Sequence, residues 1–173
     1  MLVLSAAIGL LSASYYCYSG LTDSKSQRFV VTVPGRVSIV APAIGPVRTY
    51  VLGNANLAFP HQNWQVRGNV PTGTTVVLQT LTSFHNTTNP ASRRDGRLAV
   101  RVSSQSGPAT WTVTRATDTT DYLAGDEDAM VQVVSDKTGE AQLGLSVTFL
   151  TGIGTDLEEG DYTLTVVGTI TSN

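Results

Sequence analysis

Cysteine is all but absent from this chain: Cys17 stands alone, so no disulfide can form within it. Histidine is nearly as scarce. His61 and His85 sit far apart in loop-like stretches, with no Cys or carboxylate at metal-ligand spacing, which speaks against a zinc centre. Charge is thin as well. Only 14% of residues are Asp, Glu, Lys or Arg, against roughly 25% in an ordinary soluble domain. The net charge of −2 gives no basic footprint for nucleic acid. Aromatics make up 7%, too few for the wide stacking cleft of a glycosidase. There is no Gly-x-Ser-x-Gly elbow, phosphate loop or CxxC pair. A Ser–His–Asp triad has no sequence signature of its own, because its members meet only in the fold. The acidic stretches Asp126-Glu127-Asp128 and Asp156 to Asp161 read as solvated turns; as calcium loops they lack EF-hand spacing. These absences leave no catalytic residue, metal or cofactor to name.

Helical periodicity is also lacking: no window carries apolar residues at i, i+3, i+4 and i+7 over three turns. What fills the chain instead is alternation. Ala141, Leu143, Leu145, Val147 and Phe149 fall on one side of residues 140–149, with Glu140, Gln142, Gly144, Ser146 and Thr148 on the other. Tyr162, Leu164, Val166 and Ile170 alternate in the same way with Asp161, Thr163, Thr165, Thr169 and Thr171. Period two means strands with one dry and one wet face. Further strand-like runs are 28–33, 36–41, 47–52, 63–67, 74–82, 98–102, 111–113 and 130–134. Turn residues separate them: Pro34-Gly35 (a hairpin or a kink), Pro71-Thr72-Gly73, and Asp136 to Gly139, which reads as a hairpin turn. Residues 53–62 and 85–96 read as loops. Short, regularly punctuated strands predict an all-β fold: a single antiparallel β-sandwich, Ig-like or Greek-key. Trp64 and Trp111 alternate with Val66 and Val113. They are read as core, or alternatively as an exposed platform for carbohydrate. The cluster Arg93, Arg94, Arg97 and Arg101, interrupted by Asp95, reads as a solvated strand edge, with an anion site as the alternative. Asn86-Thr87-Thr88 fits the N-glycosylation pattern.

The N-terminal end reads as a leader. LVLSAAIGLLSAS (2–14) is apolar, closes on small residues like a secretory signal, and is too short for a firm membrane span. No Lys or Arg precedes it, so a retained anchor is the competing reading, and the only membrane contact it would give. Residues 1–19 are thus expected to be a leader, 20–27 a flexible lead-in and 28–173 the sandwich. Cys17 lies in or beside the discarded part.

The C-terminal stretch resembles the end of chaperone–usher and spore-coat-U-like fimbrial subunits. Gly160 is the fourteenth residue from the end, Asp161-Tyr162 follows it, and the alternating run to Ile170 follows that. In that family this strand edges an incomplete Ig-like sandwich, which a neighbour's N-terminal extension completes by β-augmentation. The resemblance implies a donor in Phe29, Val31 and Val33, or Val30 and Thr32 in the other register, and an acceptor edge carrying Tyr162, Leu164, Val166 and Ile170. The family's near-terminal aromatic is Ser172 here, and its disulfide cannot form. The expectation is a secreted or cell-surface structural protein, not an enzyme, whose partner is itself or another surface protein. The alternative is a carbohydrate- or matrix-binding sandwich.

Overall fold

The computed structural model describes residues 23–51, 53, 56–152 and 157–173; the leader and Cys17 lie outside them. Two compact units divide the chain, residues 1–33 and 34–173. In the first, residues 23–33 form no strand and are exposed throughout, with a single ion pair between Lys25 and Asp23 at 3.1 Å. The expected strand over 28–33 therefore does not form. Period-two alternation creates a face, but a strand exists only where a ladder accepts its N–H and C=O groups, and this segment has no ladder partner.

The second unit contains all thirteen strands and no helix among the described residues. They are β1 (Val37–Val40), β2 (Asn56–Ala58), β3 (Gln62–Gly68), β4 (Thr74–Thr80), β5 (Phe84–Asn86), β6 (Arg93–Arg94), β7 (Gly96–Ser106), β8 (Trp111–Arg115), β9 (Thr117–Thr119), β10 (Ala129–Ser135), β11 (Gly139–Leu150), β12 (Tyr162–Thr163) and β13 (Val167–Ser172). One sheet has the order β1-β3-β11-β7-β9, with β2 added on β11; the other runs β13-β4-β10-β8; a small third sheet is β12-β5-β6. Every pairing is antiparallel. This is the all-β antiparallel sandwich that the alternation predicts.

Burial follows the alternation through Leu145 and then departs from it: Thr148, expected on the wet face of β11, is buried, and Val147 is only half-buried. Leu143 and Leu145 of β11, Leu98 of β7, Val76 and Leu78 of β4, and Val131 and Val133 of β10 form the centre of the core. Val147, Val166 and Ile170 pack against it, half-buried. The buried hydroxyls of Thr74 and Ser135 lie 3.0 Å apart, joining β4 to β10, and Ser135 Oγ also accepts from the Thr74 backbone N–H at 2.9 Å.

The turns depart from expectation. β10 and β11 flank Asp136 to Thr138, yet β10 belongs to one sheet and β11 to the other. The same holds for β3 and β4 around Pro71-Thr72-Gly73, and for β7 and β8. These connections cross from sheet to sheet and are not hairpins. Turn residues specify that the chain reverses. Whether the returning strand lies beside its predecessor or above it depends on where both bury their apolar faces, and here those faces meet across the core. Residues 28–33 and 36–41 likewise form no hairpin. The run 47–52 contains no strand among its described residues, while β2, β5 and β6 arise in or at the edge of the stretches read as loops, and β9 where no strand is expected.

Candidate assembly groove

β1 stops where its chemistry stops. Asn69 N–H donates to Arg36 O at 3.0 Å, and the register pairs Val40 with Gln65. Antiparallel ladders bond at every second pair, so after Ser38–Arg67 and Val40–Gln65 the next bonded pair would be Pro42 with Asn63. Proline has no N–H to give. β1 ends, and Asn63 of β3 is left without a ladder partner on that side. On the other wall, Leu164, Thr165 and Val166 lie between β12 and β13 and join no strand. Between these walls runs a groove of about 1050 Å³. Its floor is Trp64, Leu145, Val147 and Phe149, and one end is the aromatic cluster of Leu57, Phe59, Phe84 and Tyr162. Phe84 meets Phe149 edge-on at 5.0 Å, Phe149 meets Tyr162 edge-on at 5.4 Å, and Phe59 stacks on Phe84 at 6.0 Å.

β13 presents a second open element. Asn173 N–H donates to Gly73 O at 3.1 Å, so Val167, Thr169 and Thr171 exchange bonds with β4. Gly168, Ile170 and Ser172 then turn their backbone groups to the opposite side, where β13 has no ladder partner. No charged residue lies between Asp161 and Asn173.

Of the expected assembly residues, Tyr162, Leu164 and Val166 line the groove, while Ile170 packs on the main core beside it. Phe29, Val31 and Val33 belong to the first unit and are 83%, 88% and 75% exposed. Trp64 and Trp111 are only 7% and 6% exposed, with both indole N–H groups buried and unpaired. They are core residues and form no exposed carbohydrate platform. A flat stacking surface needs a ring face in solvent, and inward alternation beside Val66 and Val113 removes it.

Gly160 is required by the backbone here. Its φ is +140°, and a Cβ there would come within 2.7 Å of the Asn86 side chain. Asn86 is fully buried. Its Nδ2 donates to Glu159 O at 3.1 Å, and its Oδ1 accepts from Thr88 N–H at 2.9 Å and Asn89 N–H at 3.2 Å. The side chain that a glycan would need thus holds the 159–160 turn in place.

The remaining candidates disperse. His61 Nδ1 lies 2.7 Å from Ser146 Oγ, an exposed pair with no carboxylate bonded to the imidazole among the described residues. His85 Nε2 lies 3.4 Å from Thr163 Oγ1. Arg93 forms an ion pair with Glu127, and Arg97 and Arg101 are exposed on β7. Among the described residues no group of three or more His, Cys, Asp or Glu could hold a metal ion. Asp126 is held above its ordinary 3.8 by desolvation, then by the charges of Asp128, Asp118 and Asp121.

Leu57, Phe59 and Tyr50 are groove residues that the loop reading of 53–62 and the strand reading of 47–52 do not pick out. Asn56-Leu57-Ala58-Phe59 does alternate, and that short signal lies inside a stretch dominated by Gly, Asn and Pro. No family model matches the chain, nor does any curated protein or solved structure.

Proposed function

We propose that this chain is an exported subunit of a surface fibre or envelope assembly, and that copies join by strand complementation. Residues 28–33 of one copy enter the groove of the next, pair with the unladdered backbone of its walls, and set either Phe29, Val31 and Val33 or the opposite register against the apolar floor. The observation that carries this reading is the pairing of opposites within one chain. An apolar groove has unladdered backbone on both walls, and an alternating apolar segment stands fully exposed with no strand partner. Open edges of this kind are ordinarily blunted by charge or proline. Residues 28–33 carry only Arg28, and residues 162–172 carry neither charge nor proline.

The test is deletion of residues 15–33. The full chain should form oligomers or fibres by light scattering and electron microscopy, and the deleted chain should be a folded monomer. A full chain that stays monomeric at high concentration, or a deleted chain that assembles as well as the parent, would sink the proposal. N-terminal sequencing of exported material should show residues 1–14 or 1–19 removed; Met1 at its start would overturn the cleaved-leader reading.

A further inference from the structure

The outward face of the larger sheet is polar, and its middle is neither flat nor neutral. Alternation turns Leu98, Val100, Leu143 and Leu145 inward, and so turns Arg97, Arg101, Gln142 and Gly144 outward, with Gln65 and Arg67 of β3 beside them. A shallow concavity of about 630 Å³ opens there over Ser38, Gln65, Ser104 and Gln142. Hollows of about 300–1,000 Å³ are the size that takes small ligands. Gln65 and Gln142 stand opposite each other across the ladder, and neither carboxamide has a hydrogen-bond partner among the described residues. A bulge widens the face. The β11–β7 register shifts between Gln142 and Leu143, which leaves Ser103 unopposed between Val102 and Ser104. A Cβ on Gly144 would stand 2.7 Å from Ser103 Oγ and 3.2 Å from Arg101 Nε. The Arg101 side chain is thus laid across bare backbone, two residues along from Gln142. Charge is segregated as well. Arg67 pairs with Glu140 at 3.1 Å, whereas Arg97 and Arg101 have no acidic partner among the described residues. These two lie four residues apart on one strand, about 13 Å along it, a span suited to a ligand with successive negative groups.

We infer that this face binds an acidic carbohydrate chain. Arg97 and Arg101 take its carboxylate or sulfate groups, and Gln65, Gln142, Ser38 and Ser104 take its hydroxyls. Carboxamides and hydroxyls both donate and accept, as neighbouring sugar hydroxyls do, and a guanidinium fork matches a planar carboxylate. A peptide strand fits poorly, because residues 65–67 of β3 and 140–144 of β11 already have a ladder neighbour on each side. Single-stranded nucleic acid stacks its bases on aromatic rings, and none lines this concavity. The groove floor is the inward face of the same two strands, so the two kinds of binding stand or fall separately.

The test is titration of the full chain with oligogalacturonate, dextran sulfate and neutral dextran by isothermal calorimetry. An acidic sugar chain should bind with an affinity that falls as salt rises, and the tighter of the two acidic ligands assigns carboxylate or sulfate as the recognised group. Neutral dextran should bind far more weakly. Arg97→Gln with Arg101→Gln should weaken binding about tenfold. Gln65→Ala with Gln142→Ala should weaken it about fivefold and leave its salt dependence unchanged. Gly144→Ala alters no charge but displaces Ser103 and crowds Arg101, and should weaken it too. Arg48→Gln with Lys137→Gln, two charges lost outside this face, should leave affinity within about twofold. Binding of neither acidic ligand overturns the inference. So does an equal loss in the Arg48 and Lys137 double variant, which would mean that net charge alone is sensed. Dextran that binds as tightly as the acidic chains removes the arginines from recognition and overturns it. Oligothymidylate that binds more tightly than either, weakened by the same variants, puts nucleic acid in place of carbohydrate and overturns it as well.

Discussion

At the scale of single residues, two carboxamide and glycine positions explain more than any titratable group. Asn86 satisfies Thr88 N–H, Asn89 N–H and Glu159 O from a fully buried site. Asn86→Ala removes three hydrogen bonds, each worth about 0.5–1.5 kcal/mol, and leaves a cavity where the buried side chain stood. Gly160→Ala adds the strain of a side chain at φ +140° and a clash with Asn86. We expect each substitution to lower the denaturation midpoint clearly. The double variant should cost less than the sum, because Asn86→Ala makes room for the new methyl; strict additivity in urea titrations would mean the two do not act on one contact. Among the carboxylates, Asp118 is informative. Burial alone would raise its pKa, but N–H donors of Met130, at 2.7 Å, and Thr119, with the Arg115 guanidinium at 2.7 Å, hold it below 3.8. A depressed folded pKa stabilises fully above the unfolded value, and that contribution disappears as pH falls through the folded value. Asp118→Asn should therefore be less stable than the parent at about pH 7, with the gap closing toward about pH 2. A gap of constant size across that range would show that the charge of Asp118 contributes nothing.

At the scale of elements, β11 is the strand around which the larger sheet is built, pairing with β3, β7 and β2. Leu145 sits at its centre, almost wholly buried. Leu145→Ala should cost about 2–5 kcal/mol through lost burial and the cavity left behind, whereas Thr165→Ala on the exposed side should stay within about 0.5 kcal/mol. Equal midpoint shifts in chemical denaturation would reverse the assignment of faces. Strands of this kind were legible because alternation is a local property: Leu143, Leu145 and Phe149 betray their burial whatever they pair with. The pairing itself was not legible. The turn at 136–139 looks like a hairpin and that at 71–73 like a simple reversal, and nothing in those residues says that the next strand goes to the opposite sheet. The groove was half legible. Tyr162, Leu164 and Val166 advertise themselves by alternation, but Tyr50 and Phe59 reach it from stretches whose Gly and Pro content hides them. The Pro42–Asn63 mismatch becomes visible only once the β1–β3 register is known.

At the scale of the whole molecule, successive strands of the sandwich mostly alternate between sheets, so its ladders close long loops. Stability then depends on both sheets being held together, and the groove is an opening whose floor is the apolar face of β3 and β11. Filling it should stabilise the entire 34–173 unit and not merely its rim. The chain lacking residues 15–33 provides the test, because it retains that compact unit. A peptide of residues 27–34 that binds only the folded state adds roughly 2.7 kcal/mol at a hundredfold excess over its Kd. That corresponds to a rise in Tm of about 5–10 °C for a domain of this size. Because the proposed contact is mainly apolar and backbone-paired, most of the rise should persist in high salt, where surface charge pairs are screened. A peptide of the same composition with Phe29, Val31 and Val33 replaced by serine should give little or no shift. A rise produced equally by both peptides would assign the stabilisation to backbone pairing alone and remove the apolar floor from the account of partner choice. No rise with either would mean that the groove, however apolar, is not where these chains meet.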